Sequence, residues 1–279
     1  MLCVLIIMSN LRKYFEANRK MWDKFAKDHY SSETYKTEAF LEGKTTLNSI
    51  ELEELGDVKG KTLLHLQCHF GLDTLSWARE GAMVTGVDFS SDAINLAREL
   101  AEKTNLDAQF IESNVYDLSN VLDSKFDIVF TSYGVHCWLN DLNRWAEIVA
   151  HFLNPSGTFY IAEFHPFMWM FDWDATDDFK FKRSYFHSDE PHEFEVDASY
   201  GGAQIEPQVD YEWAHGMGKV ISAIVSAGLR IEFMHEFPKS PFQQFPFFKQ
   251  RDDGYWYYEN PDVQLPLVYS IRAKKTVDL

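Results

Sequence analysis

Leu63-Leu64-His65-Leu66-Gln67-Cys68-His69-Phe70-Gly71 and, a helix length later, Val84-Thr85-Gly86-Val87-Asp88-Phe89-Ser90 decide the fold of this chain. Each stretch contains a short, nearly continuous apolar run, the pattern of a parallel strand buried on both faces. The first run leads through a glycine turn into a helix, whose N-terminus can approach a ligand. The second ends in an acid able to accept hydrogen bonds from both hydroxyls of a ribose. Strand, turn, helix, strand and acid make the front half of a nucleotide-cofactor site, with Asp88 as its first candidate residue.

The glycines separate two cofactor classes that share this geometry. A dinucleotide fold calls for G-x-G-x-x-G so that the backbone packs against a pyrophosphate. Here Gly71 alone stands in the turn, beside Gln67, His69 and Phe70, and a pyrophosphate would be poorly cradled. A nicotinamide-dependent oxidoreductase is therefore a weak alternative. Further landmarks follow in order: Asn114-Val115 after a third strand, Phe126-Asp127-Ile128-Val129-Phe130-Thr131-Ser132-Tyr133 as a fourth, and Leu153-Asn154-Pro155-Ser156-Gly157-Thr158-Phe159-Tyr160-Ile161-Ala162-Glu163 leading into a fifth. Together they resemble the class I S-adenosylmethionine-dependent methyltransferases.

That resemblance implies an α/β fold: a doubly wound, mostly parallel seven-stranded sheet whose last strand inserts antiparallel. It implies S-adenosylmethionine as cofactor, S-adenosylhomocysteine as product and a small-molecule acceptor. A protein side-chain methyltransferase and a catalytically inactive S-adenosylmethionine-binding protein are the alternatives. The cofactor's methionine moiety is assigned to the backbone of Leu66, Gln67, Cys68, His69 and Gly71, its ribose to Asp88, its adenine face to Phe89 and its adenine edge to Asn114 and Val115. Tyr30, Ser132 and Tyr133 complete the cofactor set.

Motif I departs from the family pattern, which usually has an acid at the position of His65 and glycines at those of Gln67 and His69. The missing acid commonly orients the cofactor's amino group. An extended backbone at 67 and 69 would accept side chains without strain, leaving Gln67 or His69 to hydrogen-bond the cofactor's carboxylate. No metal is expected, because neighbouring strand positions turn His65, Cys68 and His69 to opposite faces and no zinc-like spacing supports them.

Methyl transfer from a sulfonium needs alignment of nucleophile, methyl and sulfur, and for some acceptors removal of a proton. Candidate catalytic groups therefore belong at the carboxyl ends of strands four and five, where Tyr133, His136, Glu163 and His165 stand.

The 279 residues are 46% hydrophobic and 16% aromatic, with no Pro/Gly/Ser-rich linker, enough for one domain with insertions. That domain is expected over residues 9–279: a helical cover at 9–44, a cofactor core at 45–164, an inserted lid and substrate region at 165–215, and a closing helix and strands at 216–279. Short helices are expected between residues 10 and 43, and strand-like pieces at 179–186, 194–200 and 209–213. A helix is expected at 218–227, with strands at 229–237 and 266–273. Leu142, Trp145, Val149 and Phe152 recur at helical spacing, with Asn154-Pro155-Ser156-Gly157 as the stop. Ser90 is placed to cap the helix carrying Ile94, Ala97 and Ala101. The insertion falls at the carboxyl edge, where ligands bind in open α/β sheets, so with the N-terminal aromatics it is expected to build the acceptor pocket.

A formal net charge of −17 repels polyanions, so nucleic acids and anionic membranes are excluded as partners. Lys180-Phe181-Lys182-Arg183 is the one tight basic cluster, read as a solvated strand. Cys3, Cys68 and Cys137 are too few and scattered for a disulfide framework, which points to a reducing, cytoplasmic compartment. The apolar run at residues 2–8 falls far short of the ~20 needed to span a bilayer, and Met8 is a second candidate start. The aromatic clusters at residues 167–173 and 242–258 admit three readings: a cavity lining, core beneath the insertion, or the contact of a homodimer.

Overall fold

Seven apolar runs become one sheet in the computed structural model, which describes residues 2–186 and 189–276, with side chains from residue 10 onward. The side chains of residues 2–9, Cys3 among them, residues 187 and 188 of the expected insertion, and residues 277–279 lie outside the described residues. The chain runs through α1 (Leu2–Ser31), α2 (Thr37–Leu41), α3 (Ser49–Leu55), β1 (Thr62–Leu66), α4 (Leu72–Arg79), β2 (Met83–Asp88), α5 (Ser91–Thr104), β3 (Ala108–Glu112), β4 (Phe126–Ser132), α6 (Leu142–Phe152) and β5 (Leu153–Phe164). It continues with β6 (His192–Ala198), β7 (Gln204–Glu212), α7 (Met217–Ser226), β8 (Leu229–Phe237), β9 (Lys249–Gln250), β10 (Trp256–Tyr257) and β11 (Val268–Lys275).

The sheet order is β3-β2-β1-β4-β5-β11-β8. The first five strands pair in parallel, while β11 lies antiparallel between β5 and β8. Alternation along β1 divides the two layers. Leu64 and Leu66 pack with Trp145 and Val149 of α6 and Ile224 of α7, whereas Leu63 joins Leu55 of α3 and Trp77 of α4. This is the doubly wound, seven-stranded, mostly parallel α/β fold that the sequence implies.

Ser90 caps α5, its hydroxyl accepting from Ala93 N at 3.1 Å. Helix α6 ends at Phe152, just ahead of the Asn154-Pro155-Ser156-Gly157 stop, and passes directly into β5, with Ser156 at φ 63°. Of the short helices expected at the N-terminus only α2 fits, and ahead of it one 30-residue helix runs to Ser31. Among the described residues no helix is long and apolar enough to cross a membrane.

The expected strand at 179–186 is absent apart from an isolated bridge between Phe171 and Phe181. Phe179 instead packs on Phe171, Phe245 and Tyr258, so most of the aromatic clusters form core between the insertion and the residues preceding β11. The hairpin of β6 and β7 pairs antiparallel and backs onto α1. There the buried Asn18 donates from Nδ2 to Tyr211 O and accepts from Tyr211 N, both at 2.8 Å. Replacing Asn18 with Ala strands both backbone groups, so Asn18→Ala should cost roughly 2–4 kcal/mol in urea unfolding. A loss below about 0.5 kcal/mol would show that the hairpin does not hold the helix.

Candidate functional site

The turn after β1 departs from the extended backbone expected at residues 67 and 69. Gln67 (φ 56°), His69 (φ 51°) and Gly71 (φ 81°) are all left-handed. Only glycine takes that conformation freely, and other residues are held there at about 1–2 kcal/mol each. The restraints are visible. Cys68 N donates to Val87 O at 2.9 Å, His69 N to Asp88 Oδ2 at 2.8 Å, and Gln67 Nε2 to Val135 O at 3.1 Å. At Gly71 a Cβ would stand 2.8 Å from the Phe110 ring, so no side chain fits.

His69 Nε2 lies 3.0 Å from His29 Nδ1 on α1, which pins the helix to the turn. One ring donates and the other accepts, and burial keeps both neutral, lowering His29 to about 4 and His69 well below its ordinary range. A second tie runs from Ser90 Oγ to Asp23 Oδ1 of α1 at 2.7 Å.

Beneath this cover lies a cavity of about 670 Å³. Of the expected cofactor residues, Gln67, Cys68, His69, Gly71, Asp88, Phe89, Asn114, Val115, Ser132 and Tyr133 line it. Leu66 does not; its side chain joins the core. Tyr30 also lies outside, its hydroxyl accepting from Lys103 Nζ at 3.0 Å, and Tyr35 lines the cavity from the same region. The insertion contributes no lining residue among those described. Trp22 of α1, residues 44–49 and the aromatics Phe242 and Tyr255 close the cavity instead, and the insertion props α1 from behind.

Asp88 is buried, with Oδ2 accepting from His69 N and Oδ1 from Ser90 N at 2.9 Å; burial pushes its carboxyl up to about 6. Asn114 Oδ1 accepts from Tyr116 N at 3.0 Å, which leaves its amide N–H groups for a ligand. The sheet order puts Asp88 and Asn114 on one side of β1 and Ser132 and Tyr133 on the other.

Of the four candidate catalytic residues, Tyr133 alone lines the cavity. Its hydroxyl donates at 3.0 Å to Glu51 Oε2, and burial raises Glu51 to about 7. Glu51 was not evident as a site residue, although Asn48-x-x-Glu51 has the spacing of a helix capping box. His136 sits in the core with Nδ1 3.0 Å from Tyr269 Oη. His165 caps its own turn, Nδ1 accepting from Phe167 N at 3.1 Å, and its Nε2 is 2.9 Å from Glu236 Oε1. Among the described residues no group of three or more His, Cys, Asp or Glu is arranged to hold a metal.

Glu163 shapes the loop after β4. Its carboxylate accepts from Gly134 N at 2.5 Å, Val135 N at 2.7 Å, His136 N at 3.2 Å and Phe164 N at 2.6 Å. Glu163→Ala strands several buried donors and should cost at least about 3 kcal/mol in urea unfolding. Glu163→Gln, which keeps a carbonyl acceptor, should cost less. Equal losses, or losses below about 1 kcal/mol, would remove this structural role.

Residues 63–157 match the family model described as "Methyltransferase domain". The ubiquinone biosynthesis O-methyltransferase of Serratia proteamaculans is 27% identical over 111 residues, 40% of this chain and 46% of that protein. The chain thus spans about half the length of that relative. Two solved structures share the fold. An S-adenosylmethionine-dependent methyltransferase from Clostridium acetobutylicum has a TM-score of 0.56 at 14% identity, covering 92% of this chain and 100% of that one. Another from Mesorhizobium loti has a TM-score of 0.54 at 19% identity, covering 84% and 99%. Residues 63–157 thus match a methyltransferase domain, set in a sheet whose fold these S-adenosylmethionine-dependent methyltransferase structures share.

Proposed function

We propose that this chain transfers a methyl group from S-adenosylmethionine to a small-molecule acceptor held in the same cavity. The observation that carries the reading is the cavity itself. At about 670 Å³ it is in the size range of ligand pockets, with the motif I turn and Asp88 on one wall and Tyr133, Phe242 and Tyr255 on another.

The residues present fit the cofactor. Each Asp88 oxygen accepts one backbone N–H and keeps lone-pair capacity for a ribose hydroxyl. Phe89 offers a face to the adenine, with Asn114 and Val115 at its edge, and the backbone of residues 67–71 runs along the methionine moiety. The bound cofactor supplies a methyl group activated on a sulfonium. The protein aligns the acceptor, keeps water out under α1 and takes up any proton released. For an acceptor with an O–H or N–H, Tyr133 backed by Glu51 is the proton-accepting pair, because a carboxyl near 7 exchanges protons readily at neutral pH. A net charge of −17 argues against nucleic acid as acceptor, and the aromatic wall beneath a helix favours a small molecule over a protein side chain.

The test supplies S-adenosylmethionine with either the low-mass or the protein fraction of a cell extract. S-adenosylhomocysteine should appear with the low-mass fraction. Release with the protein fraction alone would favour the protein side-chain alternative, and cofactor binding without release from either would favour an inactive binder.

Affinity for S-adenosylhomocysteine, measured by calorimetry, should fall roughly 10- to 150-fold in Asp88→Ala, equivalent to about 1.5–3 kcal/mol. The ribose hydroxyls need the ionised carboxylate, and Asp88 protonates as pH drops through about 6. Affinity should therefore be flat above neutrality and weaken progressively below pH 6, and Asp88→Asn should reduce that dependence. A wild-type affinity indifferent to pH between about 5 and 7 would contradict the assignment.

A further inference from the structure

The first turn of α4 places a second carboxylate, Asp73, on the cavity wall beside the end of β4. Its Oδ1 accepts from Thr46 Oγ1 at 2.6 Å and its Oδ2 from Ser132 Oγ at 3.2 Å. Two neutral hydroxyls thus hold the group, and no cation is among the groups that act on it. Crowding by the protein raises its pKa above the ordinary carboxylate value. An acid kept on a cavity wall with hydroxyl partners alone carries a desolvation cost that a ligand cation would relieve.

Two neighbours sharpen the choice of ligand group. His65, where the family usually has an acid, is buried with Nδ1 2.8 Å from Thr74 Oγ1. Burial depresses it to about 3, so it is neutral. Gln67 donates from Nε2 to Val135 O, which leaves its buried Oε1 as an acceptor without a partner among the described residues. The cavity wall near the end of β4 therefore offers one carboxylate and one amide carbonyl, acceptors suited to a positively charged group with several N–H donors. An ammonium meets that description. A sulfonium, which has no N–H, does not.

We propose that Asp73, with Gln67 Oε1 as a second acceptor, receives the α-ammonium group of bound S-adenosylmethionine and does the work of the acid missing at position 65. The inference rests on reading the cavity as the S-adenosylmethionine site. Asp88 stands at the end of β2 and Asp73 next to the end of β4, with the motif I turn between them, so one ligand with a ribose at one end and an ammonium towards the other spans both acids.

Calorimetry with S-adenosylhomocysteine and with its desamino analogue, in which hydrogen replaces the amino group, separates the possibilities. Wild-type protein should prefer S-adenosylhomocysteine by roughly tenfold or more. Asp73→Asn should lose most of that preference, by weakening S-adenosylhomocysteine while leaving the desamino analogue nearly unchanged. Without ligand, Asp73→Asn should melt no lower than wild type, because an uncompensated charge has been removed. A variant that keeps the wild-type preference overturns the assignment. Wild-type protein that binds neither ligand overturns the cofactor-site reading and this inference with it. If Asp73→Asn does not fold, Thr46→Val, which takes away one of the two hydroxyls on the carboxylate, reads the same preference. A changed preference, in either direction, supports the assignment, and an unchanged one overturns it.

Discussion

The Asp88 carboxylate is the joint on which the carboxyl edge of this sheet depends. One oxygen holds the N–H of His69 and the other that of Ser90, so the end of β2 is tied both to the turn after β1 and to the start of α5. The first tie keeps His69 in a backbone conformation it would not choose alone. With Gln67 and Gly71 also left-handed, the chain turns tightly enough to leave a cavity in front of the strand ends. Strain at a ligand site persists only where its surroundings over-determine it, and here the hydrogen bonds of Cys68, His69 and Gln67 supply that determination.

The cover follows from the same joint. Helix α1 reaches the turn through the His29–His69 pair and reaches the cap of α5 through Asp23 and Ser90, with an exposed ion pair from Lys27 to Asp92 alongside. The β6–β7 hairpin holds the helix from behind at Asn18. The insertion after β5 thus acts on the cavity through α1. Under the proposed methyl transfer, a reaction governed by alignment and exclusion of water, a braced cover would serve that alignment.

Much of this was legible from the chain because burial on both faces leaves a plain signature. The runs at β1, β2, β4 and β8 read as strands, and β8 was expected over the residues it occupies. Side-chain direction and backbone torsion were less legible. Glu163 and His165 stand at strand ends as expected, yet Glu163 faces the N–H groups of a neighbouring loop, and His165 closes its own turn beside Glu236. The left-handed torsions at Gln67 and His69 depend on an acceptor at residue 88 and a carbonyl at residue 135, far along the chain. Asp73 is a first-turn acid of α4 that nothing in the sequence pattern sets apart, and Glu51 belongs to a helix ahead of the motif region. What turns them into site residues is contact with Thr46, Ser132 and Tyr133, which only the folded arrangement reveals. The aromatic run at 179–186 has strand composition, but its rings find better partners in Phe171 and Phe245 than its backbone finds in a ladder.

The central claim, that the carboxyl-edge cavity is the S-adenosylmethionine site organised by Asp88, is tested most directly by a crystal structure with S-adenosylhomocysteine bound. The account predicts both ribose hydroxyls on the Asp88 carboxylate, the adenine against Phe89, and the amino acid portion running along the turn from Gln67 to Gly71 beneath α1. A ligand seated elsewhere, or in this cavity with its ribose away from Asp88, would contradict it.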